Sequence, residues 1–592
     1  MRKILLQFAT VFLSAALCIP TCFAARTHEP IVQVGLAYGS GALTAANLQN
    51  NESHGAGYRF GYFDEDLEFV ELGYTGENLD KITMLRASEI YFDGSTYSDE
   101  APSGGYDTIG CYHVVLDYFD DFEDAWDLAE EYDGGFVAWI GEEYQVRQGA
   151  YETEEEAWEA LEDLDGDDVK GTSAYAVNVV ETGDTQILFQ FDGGSELALG
   201  VMPDVTGEED VRTWFKGYKY HGGFRYERIG GGDLTVVNIV DIETYIQGVI
   251  PYEMSNDWPL EALKAQAICA RSYAYNNILE HKHSAYHFDL CNTVDCQVYH
   301  GVGTDNNRYQ ANELTDQAVE ETAGEYALYD GEPILAYYSS SHGGASERID
   351  YVWNSKYYPY LCGVIDPYEQ KVAHLNSYSY WTKTWTKSEL TQRLRDRGYA
   401  LNTQVKSIEL TYSENGNVIQ SRVLFENGKD IVFTPKMNWG TMSLFGISSL
   451  HFTINGQGVE TGTSVSMPEA SGGDGLTVNE SEELDLEEKL YVLSGSGKTS
   501  RLDLEDTYVI SGTGKVTALE VESSEEDKAY EGTTPVGTVV TITGNKFVLE
   551  GAGNGHQLGM SQYGAYAMAK ENFTYDEIIE FYYPGTRVDY LD

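Results

Sequence analysis

Positive charge is what this chain has least of. Its 592 residues carry 37 Lys and Arg against 96 Asp and Glu, a formal net charge of −59. A surface so acidic repels phosphates over its whole extent. That excludes nucleic acid as a partner, and docking on anionic lipid with it. Cysteine is scarce too, with seven in all. Cys18 and Cys22 fall in the first 25 residues, and the other five are Cys111, Cys269, Cys291, Cys296 and Cys362. An odd number closes no complete disulfide framework. Beyond the N-terminal segment no apolar run is long enough to cross a membrane. What is plentiful is apolar and aromatic surface: 42% hydrophobic residues and 13% aromatics, with 45 Tyr beside 22 Phe and 9 Trp. That is too much for a disordered chain. The length suits roughly four domains or fewer. An acidic, tyrosine-rich globular protein with neutral or cationic partners is left.

The first residues set the expected compartment. Arg2 and Lys3 precede a mostly apolar run from Ile4 to Ile19, broken by Pro20, and Cys22-Phe23-Ala24 puts small residues at the −3 and −1 positions of a cleavage site. Residues 1–24 read as a secretory signal peptide, which places the protein outside the cell or in the cell wall. Left uncut, the same segment would be a membrane anchor. Leu17 before Cys18 does not suit lipid attachment.

Between 110 and 182 the hydrophobic period switches in a regular order. Tyr112–Phe119 alternates as a strand, and Phe122–Tyr132 places Ala125, Leu128 and Ala129 at helical spacing. Phe136–Ile140 and Tyr144–Gly149 alternate again. Thr153-Glu154-Glu155-Glu156 is a capping box that opens a second helix through Ala157, Trp158, Leu161 and Leu164. Tyr175–Val180 is the expected closing strand. The halves match at an offset of 32, Val114 and Glu123-Asp124-Ala125-Trp126 against Val146 and Glu155-Glu156-Ala157-Trp158. A ferredoxin-like βαββαβ unit follows. It resembles a SPOR domain through Tyr144-Gln145-Val146-Arg147-Gln148-Gly149-Ala150-Tyr151 and Glu155-Glu156-Ala157. The resemblance implies that the sheet face binds peptidoglycan glycan stripped of stem peptides, with Gln145, Arg147 or their strand neighbours lining it. A structural insert without a ligand is the other reading. Residues 467–540 form an acidic linker, in which Tyr491-Val492-Leu493-Ser494-Gly495 recurs as Tyr508-Val509-Ile510-Ser511-Gly512. Such runs ending in Ser-Gly turns suggest paired short strands in a small β insertion.

The residues that carry chemistry flank that insertion. An apolar strand at Leu234–Val240 leads through Asp241–Ile250 to Pro251-Tyr252-Glu253-Met254. Trp258-Pro259 then starts a helix with Leu260, Leu263, Ala267 and Ala270 as its buried stripe. Lys264, Gln266 and Arg271 add polar groups along that helix and are candidate substrate contacts; solvated surface charge is the bland alternative. These segments resemble the SpoIID/LytB family, the stage II sporulation protein D and amidase-enhancer proteins. The likeness runs through Gly248-Val249-Ile250-Pro251-Tyr252-Glu253-Met254, Trp258 to Ala267, Ala270-Arg271-Ser272-Tyr273-Ala274, Cys296-Gln297-Val298-Tyr299, Ser341-His342-Gly343-Gly344, Gly555 to Ala565, and Tyr582-Tyr583-Pro584-Gly585-Thr586.

The resemblance implies an α+β, split SpoIID-like domain made of residues 31–100, 183–460 and 541–592, with Ile31–Leu36 as its first strand. The SPOR-like unit at 110–182 and the insertion at 467–540 would interrupt it. Members of the sporulation branch are lytic transglycosylases, and Glu253 stands at the position of their catalytic Glu. One carboxylate suffices for that reaction: it protonates the glycosidic oxygen and then takes a proton from the sugar's own hydroxyl, with no water to be held by a partner. Tyr252, Met254 and Trp258 supply apolar neighbours that raise a carboxyl pKa. In the late motif His556, Ser561 and Gln562 are candidate sugar contacts, while Asn554 and Gln557 replace the family's usual aromatic and glycine. His283, His287, Cys291, Asp295 and Cys296 form a second constellation. The family's zinc sites imply a structural zinc on Cys291, Cys296, His287 and Asp295; a Cys291–Cys296 disulfide is equally compatible with export, and free thiols are the third reading. Three functions remain open. The first is a secreted lytic transglycosylase acting on denuded glycan. The second is a non-catalytic glycan-binding enhancer of a cell-wall N-acetylmuramoyl-L-alanine amidase, and the third a wall-bound adhesion or scaffolding protein, which leaves Glu253 unexplained.

Overall fold

Val32 and Val34 alternate with half-buried neighbours, and the run becomes the strand Ile31–Ala37. It lies between Thr235–Asp241, antiparallel with Ile31 opposite Asp241, and Leu290–Cys291, parallel with Val34 opposite Leu290. Gly223–Glu227, Leu199–Pro203, Tyr58–Phe63 and Phe69–Tyr74 extend this into a seven-stranded sheet. The computed structural model describes residues 30–50, 57–76, 79–204, 211–304, 310–353, 355–399, 402–435, 440–458, 491–493, 499–501, 508–510, 516–518 and 537–591. Residues 1–24 lie outside them. The architecture is α+β, and no helix among the described residues is long and apolar enough to cross a membrane.

A second sheet has ten strands. One end holds, in order, Asp168–Gly171, Tyr112–Phe119, Glu143–Tyr151 and Gly135–Ile140. Numbered along the chain this is 4-1-3-2, the ferredoxin-like arrangement, with helices Phe122–Ala129 and Glu154–Leu161 packing their Phe122, Ala125 and Ala157 on one face. The Thr153 capping box is present, Thr153 Oγ1 accepting from Glu156 N and Glu156 Oε2 from Thr153 N. The closing strand differs from the expected one. Asp168–Gly171 completes the unit, whereas Val177–Glu181 pairs with Ile187–Asp192 and Lys81–Arg86 farther along the same sheet.

The face opposite the helices is covered. Phe136 and Ala138 sit across from Arg147 and Gln145 and pack against Ile90 and Ile109 of a small three-stranded sheet. Gln145 and Arg147 are 8% and 3% exposed. The Arg147 guanidinium donates to Gln145 Oε1 at 2.8 and 3.0 Å and to Gln190 Oε1 at 2.6 Å. Burial draws its pKa down to about 10. This corrects the sequence reading: both side chains are spent inside the sheet stack and line no open surface for a glycan.

Farther along the chain a separate apolar core gathers Leu390, Ile408, Leu410, Val423, Phe445, Ile542, Phe547 and Leu549. Its sheets order as Asp430–Phe433, Val418–Phe425, Val405–Tyr412, Thr538–Thr543, and as Trp381–Thr386, Lys546–Ala552, His451–Ile454. Thr538–Thr543 therefore crosses the boundary expected at 540. Of the insertion, Tyr491–Leu493 pairs with Thr499–Arg501 and Tyr508–Ile510 with Val516–Ala518, so each repeat makes a hairpin of its own. The chain's last segments return to the first core: Met560–Ser561 lies parallel to Tyr338–Ser339, and Arg587–Tyr590 pairs with Glu325–Tyr329.

Candidate active site

Asp241 ends the apolar strand and caps the helix Ile242–Glu253, its Oδ1 accepting from Thr244 N at 2.9 Å. Pro251 has no N–H to offer Gln247, so the helix unravels just after it. Met254 is already extended, and Glu253 is the last helical residue. The carbonyl end of a helix disfavours a negative charge there. Glu253 keeps a partly exposed edge. Desolvation pushes its carboxyl up to about 7 against hydrogen bonds from Val298 N–H, the Tyr338 hydroxyl and the Gln562 amide. No ionised neighbour contributes to that shift, so it comes from removal of water alone.

A chain of neutral donors holds the carboxylate. Gln562 Nε2 reaches Glu253 Oε2 at 3.5 Å and Gln266 Oε1 at 3.2 Å. Tyr245 donates to Gln297 Oε1, and Gln297 Nε2 donates to Tyr338 Oη, each at 3.1 Å. Tyr338 was not foreseen, because it lies just before the Ser341-His342-Gly343-Gly344 motif rather than in it. Gln297, also missed as a site residue, does stand in a family motif. Trp258 packs edge-on to Tyr563 and Tyr566, with ring centroids 5.0 and 5.1 Å away, beside Gln562 in sequence.

The other expected contacts divide. Gln266 and Gln562 are at the site. His556 stands next to it between Trp353 and Tyr337, hydrogen-bonded to the Tyr338 backbone, and burial lowers its pKa to about 4, leaving a neutral ring. Ser561 is structural: it donates to Glu369 Oε2 at 2.9 Å and caps the helix Gln562–Lys570. Glu369 was invisible in the sequence, yet it also accepts from His342 N and Gly343 N and so ties two motifs together. Helix Leu260–Glu280 is buried nearly all round rather than along one stripe. Arg271 is fully buried, clasped by Glu243 at 2.8 and 2.5 Å with Glu325 O at 3.0 Å, and cannot touch a substrate. Lys264 pairs with Glu261 and Glu321 and lies over the Tyr575 ring. Gln557 takes φ = +67°, a conformation a glycine adopts freely. Its side chain offsets the strain by donating to His342 O and Ala345 O.

The metal constellation also changes membership. His283, Cys291, Asp295 and Cys296 bring one donor atom each within 4.8 Å of one another. His283 Nε2 is 3.1 Å from Cys296 Sγ. His287, expected as a ligand, is turned away because Glu227 Oε1 holds its Nδ1 at 2.6 Å. Both cysteines are free thiols. Lys282 Nζ lies 3.3 Å from Cys296 Sγ and 3.1 Å from Asp295 Oδ2, where it answers part of the cluster's negative charge.

A family model described as "SpoIID: Stage II sporulation protein" matches residues 230–329, the stretch that carries Glu253, Gln266 and Cys296. Through this stretch the chain is similar to the SpoIID/LytB proteins. It is 29% identical to the amidase enhancer of Bacillus subtilis (strain 168) over 58% of this chain and 40% of that protein. It is 25% identical to stage II sporulation protein D of the same organism over 60% of this chain and 76% of the relative. An uncharacterized protein of Brachyspira hyodysenteriae is 28% identical over 64% and 73%. The chain thus spans less than half the length of the amidase enhancer it matches.

Proposed function

We propose that the protein is a lytic transglycosylase of the bacterial cell wall that cleaves glycan strands stripped of peptides, with Glu253 as sole acid and base. The observation that carries this is a carboxyl raised to about 7 by desolvation, with amide and phenol donors around it and no charged partner. Protonated Glu253 gives its proton to the glycosidic oxygen as the C1–O bond breaks. The carboxylate then takes the proton of the same sugar's C6 hydroxyl as that oxygen closes on C1, leaving a 1,6-anhydro end. Tyr338 and Gln562 hold the carboxylate through the exchange. Because the first step needs the acid form, kcat/KM should be flat below about pH 7 and fall about tenfold per unit above it. A rate that climbs between pH 6 and 8 on denuded glycan would overturn the assignment.

The second reading, a glycan-binding enhancer of a cell-wall amidase, draws on the name of the Bacillus subtilis relative. Anhydro-end formation decides between the two. For the cluster at residues 283–296 we propose structural zinc on His283, Cys291, Asp295 and Cys296. Tetrahedral donors at bonds of about 2.0–2.3 Å stand roughly 3.5 Å apart, which this grouping can meet. Elemental analysis should find about one zinc per chain, lost in Cys296→Ser. Metal-free protein with a Cys291–Cys296 bridge would exclude it.

A further inference from the structure

The sheet of Trp381–Thr386, Lys546–Ala552 and His451–Ile454 borders a groove of about 400 Å³, within the range of small-ligand sites. None of the residues around Glu253 lines it. Tyr380 forms one wall and is 70% exposed, a large ring with little of the protein packed against it. Trp381 forms another. Its indole lies on Gly551, where a Cβ would come within 2.3 Å of the ring, and its Nε1 donates to Gly553 O at 3.1 Å. The plate is thus fixed in place by a missing side chain and a backbone carbonyl. Around these faces stand the Gln370 amide, the Thr382 hydroxyl and the Glu550 carboxylate, none with a hydrogen bond among the described residues. Among the described residues no Lys or Arg lines the groove.

Flat aromatic faces suit the C–H face of a pyranose ring, and unspent amide, hydroxyl and carboxylate groups suit its hydroxyls. A phosphate or carboxylate ligand would find no cation here and would meet Glu550 on a chain of net charge −59. We propose that this groove is a second glycan subsite, which takes a neutral N-acetylhexosamine residue and not a carboxylated sugar. The proposal rests on the glycan reading given above and adds to it a position remote from the bond that is cleaved. Binding energy collected there holds a strand against the protein without touching the reacting atoms.

The probe is chitotetraose, a neutral N-acetylglucosamine oligomer without a muramic carboxylate, titrated into the full chain by calorimetry. The native protein should bind it saturably. Tyr380→Ala and Glu550→Gln should each weaken binding by roughly three- to tenfold. Both side chains are exposed, so unchanged melting curves exclude a folding defect. Equal affinity in both variants overturns the proposal, as does absence of binding by the native chain or a preference for a free stem peptide. Denuded glycan is incubated with the same preparations. Anhydro ends without chitotetraose binding refute the subsite and leave the enzyme reading standing. Groove-dependent binding without anhydro ends refutes the enzyme reading and supports the subsite.

Discussion

Glu253→Gln should retain the fold and glycan binding and yield no 1,6-anhydro ends. Gln has nearly the size of Glu and can still accept from Tyr338 and Gln562, so the donors around position 253 keep a partner. It cannot deliver a proton or take one back. General acid–base catalysis contributes about 10²–10⁴-fold. Since Glu253 serves both halves of the proposed reaction, its loss should show the upper part of that range. Mass spectrometry of denuded glycan after incubation with each form makes the measurement. Native protein that releases no anhydro ends would promote the enhancer reading. Anhydro ends from both forms would keep the chemistry and dismiss Glu253. Ordinary reducing ends would require activated water and a second carboxylate.

The largest stability effect is expected at Arg271. Its guanidinium is fully buried and is answered by the two Glu243 oxygens and by Glu325 O. Removing one member of a buried pair strands the other charge at a cost of about 3–5 kcal/mol; Glu243, 15% exposed and still bonded by Gly324 N, places Arg271→Ala toward the lower end. Arg271→Ala and Glu243→Gln should both shift urea unfolding to much lower denaturant. Replacing both with apolar residues, as in Arg271→Met with Glu243→Leu, should recover much of the loss. An Arg271→Ala form with native unfolding but no activity would instead return Arg271 to the substrate site.

The contrast between these two residues shows what was legible. Glu253 and Arg271 stand in neighbouring motifs and look equally functional in one dimension. Only the packing of helix Leu260–Glu280 nearly all round tells that Arg271 meets a carboxylate in the interior, while Glu253, at the end of another helix, keeps a partly exposed edge. The ferredoxin-like unit was readable because its helix signals are local, as at Thr153. Its last strand was not, since Asp168–Gly171 buries only Val169 and shows no alternating run. The sheet face around Arg147 was misread for a similar reason. The strands that cover it, Ile90–Phe92 and Asp107–Ile109, are too short to betray a sheet. Tyr338 and Glu369 act through contacts with residues that are distant in sequence, and no pattern in their own neighbourhoods announces this.

The placement of Ile31–Ala37 bears on the order in which the chain can fold. Its antiparallel partner follows about 200 residues later and its parallel partner later still, so this strand stays unpaired while most of the first core is being laid down. Closing so long a loop adds little to the equilibrium cost, since each doubling of length costs only about 0.6 kcal/mol, but it puts the event late in time. Until then Thr235–Asp241 presents an open apolar edge, the kind of surface on which folding intermediates associate. The unit from Tyr112 to Gly171, with its own helices and near neighbours, has no such wait. Folding of this protein should therefore begin in its middle and be completed from its N-terminus.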